Sequence, residues 1–170
     1  MNLIYKKMTP TSKELGIVRA LYEKSFPPDE IPPFEMLIGW ERATLFAIYD
    51  DDRFVALADV VERKTLVYLF FLAVEEREQN KGYGSTILSD LKERYKGKTL
   101  FLLAEEHNEE EPNYEERLRR FAFYEKNGFR TQNERILDFG VWYEILYTDQ
   151  VVTKWQFDAS MRYLLGYAKE

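Results

Sequence analysis

The sequence predicts an α/β (α+β) domain in which a mixed β-sheet is flanked by helices. Apolar residues follow the strand period and the helix period in turn, which gives the element order β-α-α-β-β-β-α-β-α-β-β-α. The chain has 170 residues, enough for one domain with a sizeable core. No internal repeat, low-complexity tract or linker interrupts it, so we expect a single domain over residues 1–170.

The first part of the chain is predicted to hold a strand over residues 2–8 and two helices. The first helix begins after the capping candidates Thr11 and Ser12 and ends near Ser25. Its apolar face carries residues at helical spacing, namely Leu15, Val18, Leu21 and Tyr22. Residues 26–33 form a loop because their four prolines forbid regular hydrogen bonding. A short helix follows over residues 34–42.

The middle of the chain reads as three strands, a helix and a fourth strand. The three strands cover residues 43–49, 54–62 and 65–74, with a turn at residues 50–53. The third is almost entirely apolar, which indicates burial on both faces. The helix runs from about Gly82 to Tyr95, and another buried strand covers residues 99–104.

The last part begins with a polar loop over residues 105–112. Asn113 is predicted to cap a helix that stops at Asn127-Gly128. The expected inward residues of this helix are Leu118, Phe121, Ala122 and Tyr124. Strands from Phe129 onward and over residues 139–147 come next, and a terminal helix over residues 151–169 completes the chain. Its apolar stripe consists of Phe157, Met161, Leu164 and Leu165.

Composition excludes several classes of function. The net charge is −6 and there is no cysteine. The acidity argues against general nucleic-acid binding and permits cationic ligands, and the missing cysteines exclude thiol catalysis and cysteine-based metal sites. The single His107 cannot form a histidine cluster. Without a signal-peptide pattern or a membrane-length apolar run, we expect a soluble, cytoplasmic protein that does not associate with membranes.

The most informative motif is the turn between the apolar strand and the helix that follows it. It reads Arg-Glu-Gln-Asn-Lys-Gly-Tyr-Gly-Ser over residues 77–85. A helix start has unpaired amide donors and a favourable dipole, and glycine lets an anion approach the backbone. No Gly-Lys-Ser/Thr follows, which excludes a P-loop, and the first glycine of a dinucleotide fingerprint is missing. The turn therefore predicts a phosphate site of another kind.

A second motif narrows the choice of family. The helix over residues 119–129 carries Phe-Tyr-Glu-Lys-Asn-Gly-Phe and runs into a strand. Together, Gln79-x-x-Gly82-x-Gly84 and this helix resemble the two signatures of the GNAT superfamily of N-acetyltransferases. The resemblance covers about residues 2–147, leaves residues 148–170 as a C-terminal extension, and implies a mostly antiparallel sheet of six to seven strands plus a C-terminal helix.

The resemblance implies acetyl-CoA as the co-substrate and assigns residues to it. The turn amides would hold the pyrophosphate, and the end of the preceding strand would pair with the pantetheine arm. An amide near Val74 would polarise the acetyl carbonyl. The implied cofactor residues are Leu72, Ala73, Val74, Gln79, Asn80, Lys81, Gly82, Tyr83, Gly84, Ser85, Asn113 and Tyr124. For Asn113, helix capping is the competing role.

The implied reaction is direct transfer of an acetyl group to a primary amine of a small molecule. Tyr124 stands where the family commonly has a tyrosine acid, which can protonate a departing thiolate. A lysine-like amine has a pKa near ~10.4, so keeping it neutral at pH 7 costs about 4.6 kcal/mol. We expect Glu105, or a chain of waters, to take the proton; Glu106 and His107 are weaker candidates. No metal is expected.

The acceptor side is less determined by the sequence. Glu30, Phe34 and Trp40 belong to the segment that shapes the acceptor pocket in this family, and a rigid cover is their alternative role. Trp155 and Tyr163 of the extension could close the pocket or form a homodimer contact. Two other functions stay open: acetylation of a protein or peptide amine, and acyl-CoA binding without turnover.

Overall fold

The computed structural model describes residues 1–170. Its strands are β1 (Leu3–Lys7), β2 (Thr44–Asp50), β3 (Arg53–Glu62), β4 (Leu66–Val74), β5 (Thr99–Glu105), β6 (Arg135–Asp138) and β7 (Val141–Tyr147). Its α-helices are α1 (Leu15–Ser25), α2 (Phe34–Gly39), α3 (Tyr83–Arg94), α4 (Tyr114–Lys126) and α5 (Lys154–Leu164). No helix combines the length and the apolar character that crossing a bilayer requires.

The strands form one seven-stranded sheet in the order β1-β2-β3-β4-β5-β7-β6. Every neighbouring pair is antiparallel except β4 and β5, which run parallel because α3 carries the chain across between them. The fold class predicted from the sequence, a mixed and mostly antiparallel sheet flanked by helices, is confirmed.

Helices cover both faces of the sheet. One face packs against α3 and α4, with Ile87, Leu88 and Phe121 in the buried core. On the other face, α1 and α2 cover β2, β3 and part of β4, whereas α5 covers β4, β5 and β7 through Phe157 and Leu164. The terminal helix thus packs on the same sheet as the rest of the chain.

Local competition for hydrogen bonds explains two wrong details at helix starts. The residue before α1 is Glu14, not Thr11 or Ser12, and the Ser12 hydroxyl instead accepts a hydrogen bond from the Thr9 amide at 2.8 Å. Asn113 does precede α4, but its side chain makes no capping hydrogen bond. Within α4, Ala122 is exposed and Arg117 is buried in its place.

Three predicted boundaries are also wrong. Helix α2 ends at Gly39, short of the predicted residue 42. The strand expected from Phe129 makes only an isolated bridge at Arg130; regular pairing starts at Arg135, after Asn133 with a φ of 61° interrupts the extended chain. Helix α5 is shorter than predicted because a capping box formed by Thr153 and Gln156 starts it. Leu165, just past its end, is exposed.

Candidate functional site

The site lies where β4 and β5 separate. Their parallel pairing runs only from the Leu66–Thr99 pair to the Tyr68–Phe101 pair. At that last pair the two rings stack, with centroids 4.8 Å apart and planes 10° from parallel. Beyond it a cavity of about 720 Å³ opens between the strands. We call the part beside residues 72–85 the glycine-turn end, and the part lined by Phe26, Glu30, Phe71, Asp138 and Tyr143 the aromatic end.

Strand β4 presents free backbone groups to this cavity. The Glu75 amide donates to Val55 O at 2.8 Å, so the backbone of residue 75 faces β3. Because backbone groups alternate along a strand, those of Leu72 and Val74 face the gap left by β5. The Gln79 side-chain amide already donates to Val74 O at 3.1 Å. The Leu72 and Val74 amides remain as donors to an extended ligand.

The turn before α3 forms a nest of unpaired amides. The N–H groups of Lys81 through Ser85 donate to no backbone or side-chain acceptor, and Thr86 is the first to bond back, to Gly82 O at 3.0 Å. Asn80 and Gly82 have φ values of 61° and 90°, which curl the backbone so that neighbouring amides converge. This arrangement binds a phosphate group well.

The two glycines of the turn have different roles. Gly82 takes a left-handed conformation that other residues adopt at a cost. For Gly84, a Cβ would lie 2.9 Å from Cζ of Phe123 on α4, so its hydrogen lets α3 and α4 pack closely. Our expectation that both glycines serve phosphate approach was therefore incomplete, because Gly84 is also required for helix packing.

Side-chain hydrogen bonds and an ion pair hold the turn in place. The buried Tyr83 hydroxyl donates to Asp50 Oδ2 at 2.7 Å and accepts from Arg53 at 3.0 Å. Lys81 Nζ lies 3.2 Å from Glu78 Oε2, so its charge is partly balanced within the protein. Tyr83 can therefore reach a ligand only through its backbone amide, and the network holds the turn against the β2–β3 hairpin.

Tyr124 is the residue of α4 predicted to act as the acid. Its ring packs against Phe123 and Phe129, with centroids 5.3 and 5.7 Å away, and it lines the cavity wall. Its hydroxyl has no hydrogen-bond partner in the protein. Burial raises the pKa of this phenol, and the nearby Arg120 opposes the rise only in part. Tyr124 therefore stays protonated and can donate a proton into the cavity.

Glu105 is not a free proton acceptor. Its Oε2 lies 2.9 Å from Arg117 Nε and its Oε1 lies 3.1 Å from Arg120, so both oxygens are in ion pairs. Arg117 also donates to the Glu106 carbonyl at 2.9 Å. The carboxylate therefore ties α4 to the end of β5, and the structure argues against our expectation that it is the base.

The other predicted residues divide into two groups. Asn113 and Glu30 line the cavity, and neither side chain has a partner within the protein. Phe34 is instead buried in the core, with its centroid 5.8 Å from that of Tyr22. Trp40 packs edge-on against Phe70 at 5.7 Å and supports the cavity wall from outside. The prediction that Phe34 and Trp40 line the pocket is wrong.

The sequence analysis missed the contribution of the β6–β7 hairpin. Asp138, Phe139 and Tyr143 all line the aromatic end. Burial raises the pKa of Tyr143, and the surrounding carboxylates of Glu30, Glu105 and Asp138 raise it further. Burial also raises the pKa of Asp138. The strand alternation that places Tyr143, Ile145 and Tyr147 on one face could have indicated Tyr143. No cluster of potential ligands arranged for a metal ion is present.

Comparison with known proteins agrees with this geometry. The family model described as "Acetyltransferase (GNAT) domain" matches residues 41–131, which is over half of the chain and includes the glycine turn and all of α4. No curated protein matches the sequence significantly.

Solved structures with the same fold come from several bacteria. A GNAT-family protein from Bacteroides thetaiotaomicron has a TM-score of 0.79 and 19% identity, over 98% of this chain and 99% of its own. A Bacillus subtilis acetyltransferase in complex with CoA has a TM-score of 0.60 and 20% identity, over 88% and 100%. A spermidine N-acetyltransferase variant from Vibrio cholerae has a TM-score of 0.61 and 15% identity, over 85% and 92%. At such identities the likeness shows the fold alone.

Proposed function

Because the chain belongs to the GNAT family of acetyltransferases, we propose that it moves an acetyl group from acetyl-CoA to a primary amine of a small molecule by direct transfer. The observation that carries this proposal is the cavity that opens where β4 and β5 separate. It joins unpaired amides at the glycine-turn end to an acidic, aromatic pocket at the other end. The two reactants can therefore meet without a covalent enzyme intermediate.

The residues at the glycine-turn end fit a CoA thioester. The amides of Lys81 through Ser85 suit a pyrophosphate, and Lys81 can exchange its contact with Glu78 for one with a phosphate. The free backbone of Leu72 and Val74 suits the amide groups of a pantetheine arm, which would lie along β4 as an added strand. The unbonded side chain of Asn113 lies in the same cavity. The Bacillus subtilis protein of the same fold was solved with CoA, which supports this assignment.

Two groups of this chain would act directly on the transfer. Acetyl-CoA supplies the activated acetyl group as a thioester. The Val74 amide, aimed into the gap, can donate a hydrogen bond to the acetyl oxygen as negative charge develops there. The Tyr124 hydroxyl, kept protonated by burial, can donate its proton to the departing sulfur. The proton that the attacking amine loses would leave through a chain of waters, because both oxygens of Glu105 are in ion pairs. Glu105 would instead position α4, which carries Tyr124.

The lining of the aromatic end by side chains from several segments favours a small acceptor over a protein or peptide. Residues 26–32 and the β6–β7 hairpin contribute side chains to the same pocket, among them Phe26, Ile31 and Tyr143. Glu30 and Asp138 have no ion-pair partner and favour a cationic amine. The Vibrio cholerae protein of the same fold acts on spermidine, which is consistent with a cationic small molecule.

A thiol-release assay tests the proposal. Acetyl-CoA is incubated with the protein and, one at a time, alkyl amines, diamines, polyamines, aminoglycosides, amino acids and peptides, and free CoA is measured. We expect turnover with at least one small amine at a rate above that with peptides. If peptides are the better acceptors, the small-molecule assignment is wrong. If acetyl-CoA binds without turnover on any amine, the protein is a binding module.

A further inference from the structure

The buried carboxyl of Asp59 has no role in the site described so far. It lies in the middle of β3 and is fully buried, and both of its oxygens lack a hydrogen-bond partner. The other buried acids are satisfied, since Glu78 pairs with Lys81 and Glu144 accepts from Thr131 at 3.2 Å. A buried carboxyl without a partner is costly and requires an explanation.

Asp59 is paired across the sheet with a residue that lines the cavity. The register pairs it with Leu45 on β2 and with Phe71 on β4, and the β4 bulge that accommodates the extra residue Phe70 falls beside this pair. Directly opposed residues point to the same face of a sheet, so Asp59 and Phe71 share the face covered by α1 and α2. Phe71 itself lines the cavity, together with Phe70 and Tyr68. Strand β4, which contributes Phe71, therefore lies between Asp59 and the acceptor pocket.

No protein charge balances Asp59. The titratable groups that face it are Tyr22 from α1 and Tyr68 from β4, and burial raises the pKa of both phenols, with a smaller contribution from Asp59. Its neighbour on β2 is apolar, α2 contributes Leu37 to the surrounding core, and Trp40, just past the end of α2, packs against it. Burial alone raises the pKa of Asp59 to about 8. In the free protein at neutral pH the group therefore holds a proton.

We propose that Asp59 is the counter-ion for the acceptor, a positioning residue that becomes charged when an ammonium group occupies the aromatic end. This inference rests on the proposed acetyltransferase function. A cation in the pocket would be attracted by the faces of Phe70, Phe71 and Tyr68 and by the carboxylate on β3. Docking then stabilises ionised Asp59, and its proton leaves to solvent. This role explains why the carboxyl has no partner within the protein: its charge is balanced by the bound cation.

Binding measurements on Asp59→Asn test this role. The amide has nearly the same shape but cannot ionise. The titrant is the amine with the highest kcat/KM in the thiol-release panel, added to protein saturated with CoA, which lacks the acetyl group and prevents turnover. For the wild type, Kd should weaken about tenfold from pH 7 to pH 6, and close to one proton should be released per amine bound at pH 7. The number of protons released is obtained by measuring the binding enthalpy in buffers of different ionisation enthalpy.

The variant should bind the amine at least tenfold more weakly at pH 8. Its Kd should depend on pH less steeply than that of the wild type, and it should release fewer protons, because only Asp138 at the aromatic end still has a raised pKa. Glu144→Gln is the matched control, because it removes a buried acid that does not line the cavity and that already has a hydrogen-bond partner, and it should behave as wild type. An Asp59→Asn variant with wild-type Kd and proton release overturns the inference. Lack of thiol release with every amine would instead overturn the proposed function.

A second measurement does not depend on how well the variant folds. The carboxyl ¹³C resonance of Asp59 in wild-type protein is followed at pH 7 while the same amine is added to the CoA complex. We expect a shift from the protonated to the ionised position as the amine saturates. A resonance that stays at the protonated position in the saturated complex contradicts the proposal.

Discussion

The two ends of the cavity are built from different materials. The glycine-turn end consists of backbone amides within one continuous segment, residues 72–85. The aromatic end consists of side chains from the loop after α1, from β4 and from the β6–β7 hairpin. A backbone site depends on a few residues that set the conformation of one turn, so it can be recognised in a short motif. A side-chain site assembled from distant segments has no such motif, and its chemistry can differ from protein to protein.

The largest effect should come from Gly82→Glu at the glycine-turn end. The substitution strains a position with a φ of 90° and places a carboxylate among amides that suit a phosphate. Wild-type protein should gain thermal stability from acetyl-CoA through ligand linkage, whereas the variant should show no shift in Tm. A thermal scan at millimolar acetyl-CoA makes the measurement. A wild type that shows no shift would refute the donor site.

Tyr124→Phe should lower kcat by about 100-fold or more while leaving the Kd of acetyl-CoA within a few-fold, because only the proton donor is lost. Since burial raises the pKa of Tyr124, the wild-type rate should not fall from loss of this proton until the pH exceeds the ordinary tyrosine value of about 10. Steady-state kinetics between pH 6 and 10 test both statements. Tyr114→Phe, on the same helix, serves as control. Full activity in the Tyr124→Phe variant would show that Tyr124 serves only in packing.

Glu105→Gln tests whether the carboxylate at the end of β5 is structural. Removing it leaves Arg117, which is largely buried, with only Glu111, 3.5 Å away, as a charge partner, so we expect a loss of about 2–3 kcal/mol in the free energy of unfolding. Urea denaturation measures this loss. The residual kcat should still exceed that of Tyr124→Phe, with an unchanged pH profile. A profile that loses its acidic limb, the fall in rate at low pH that titration of an essential base produces, would restore Glu105 as the proton acceptor.

The smallest effect should follow Gly84→Ala. The added methyl would meet the Phe123 ring, and over-packing of this kind costs about 1–3 kcal/mol. Chemical denaturation of Gly84→Ala, Phe123→Leu and the double variant forms a cycle, in which the smaller side chain should recover much of the loss. If the losses are simply additive, the close approach of α3 to α4 is not the reason for this glycine.

The sequence predicted what local rules determine. Element order, the glycine turn and the helix stop at Asn127-Gly128 follow from periodicity and backbone preference, and the fold and the family were confirmed. The sequence-based prediction failed where the role of a residue depends on contacts with residues that are distant in the sequence. Glu105 looked free because its partners, Arg117 and Arg120, lie on the next helix. Phe34 and Trp40 looked like pocket residues because nothing local shows which face of a short helix is buried. Asp59 could not be identified as important, since only the sheet register pairs it with a residue that lines the cavity.

The stacked pair Tyr68 and Phe101 has a mechanical consequence. Within the sheet, residues 1–95 and residues 99–147 are connected only through the three residue pairs between β4 and β5, and this stack lies at the last of them. The Tyr68–Phe101 contact therefore helps to set how far β4 and β5 separate, and so the distance between the two proposed reactants. A smaller side chain at either position would change the separation of β4 and β5 along the cavity. Catalysis here is therefore sensitive to a contact that touches neither reactant.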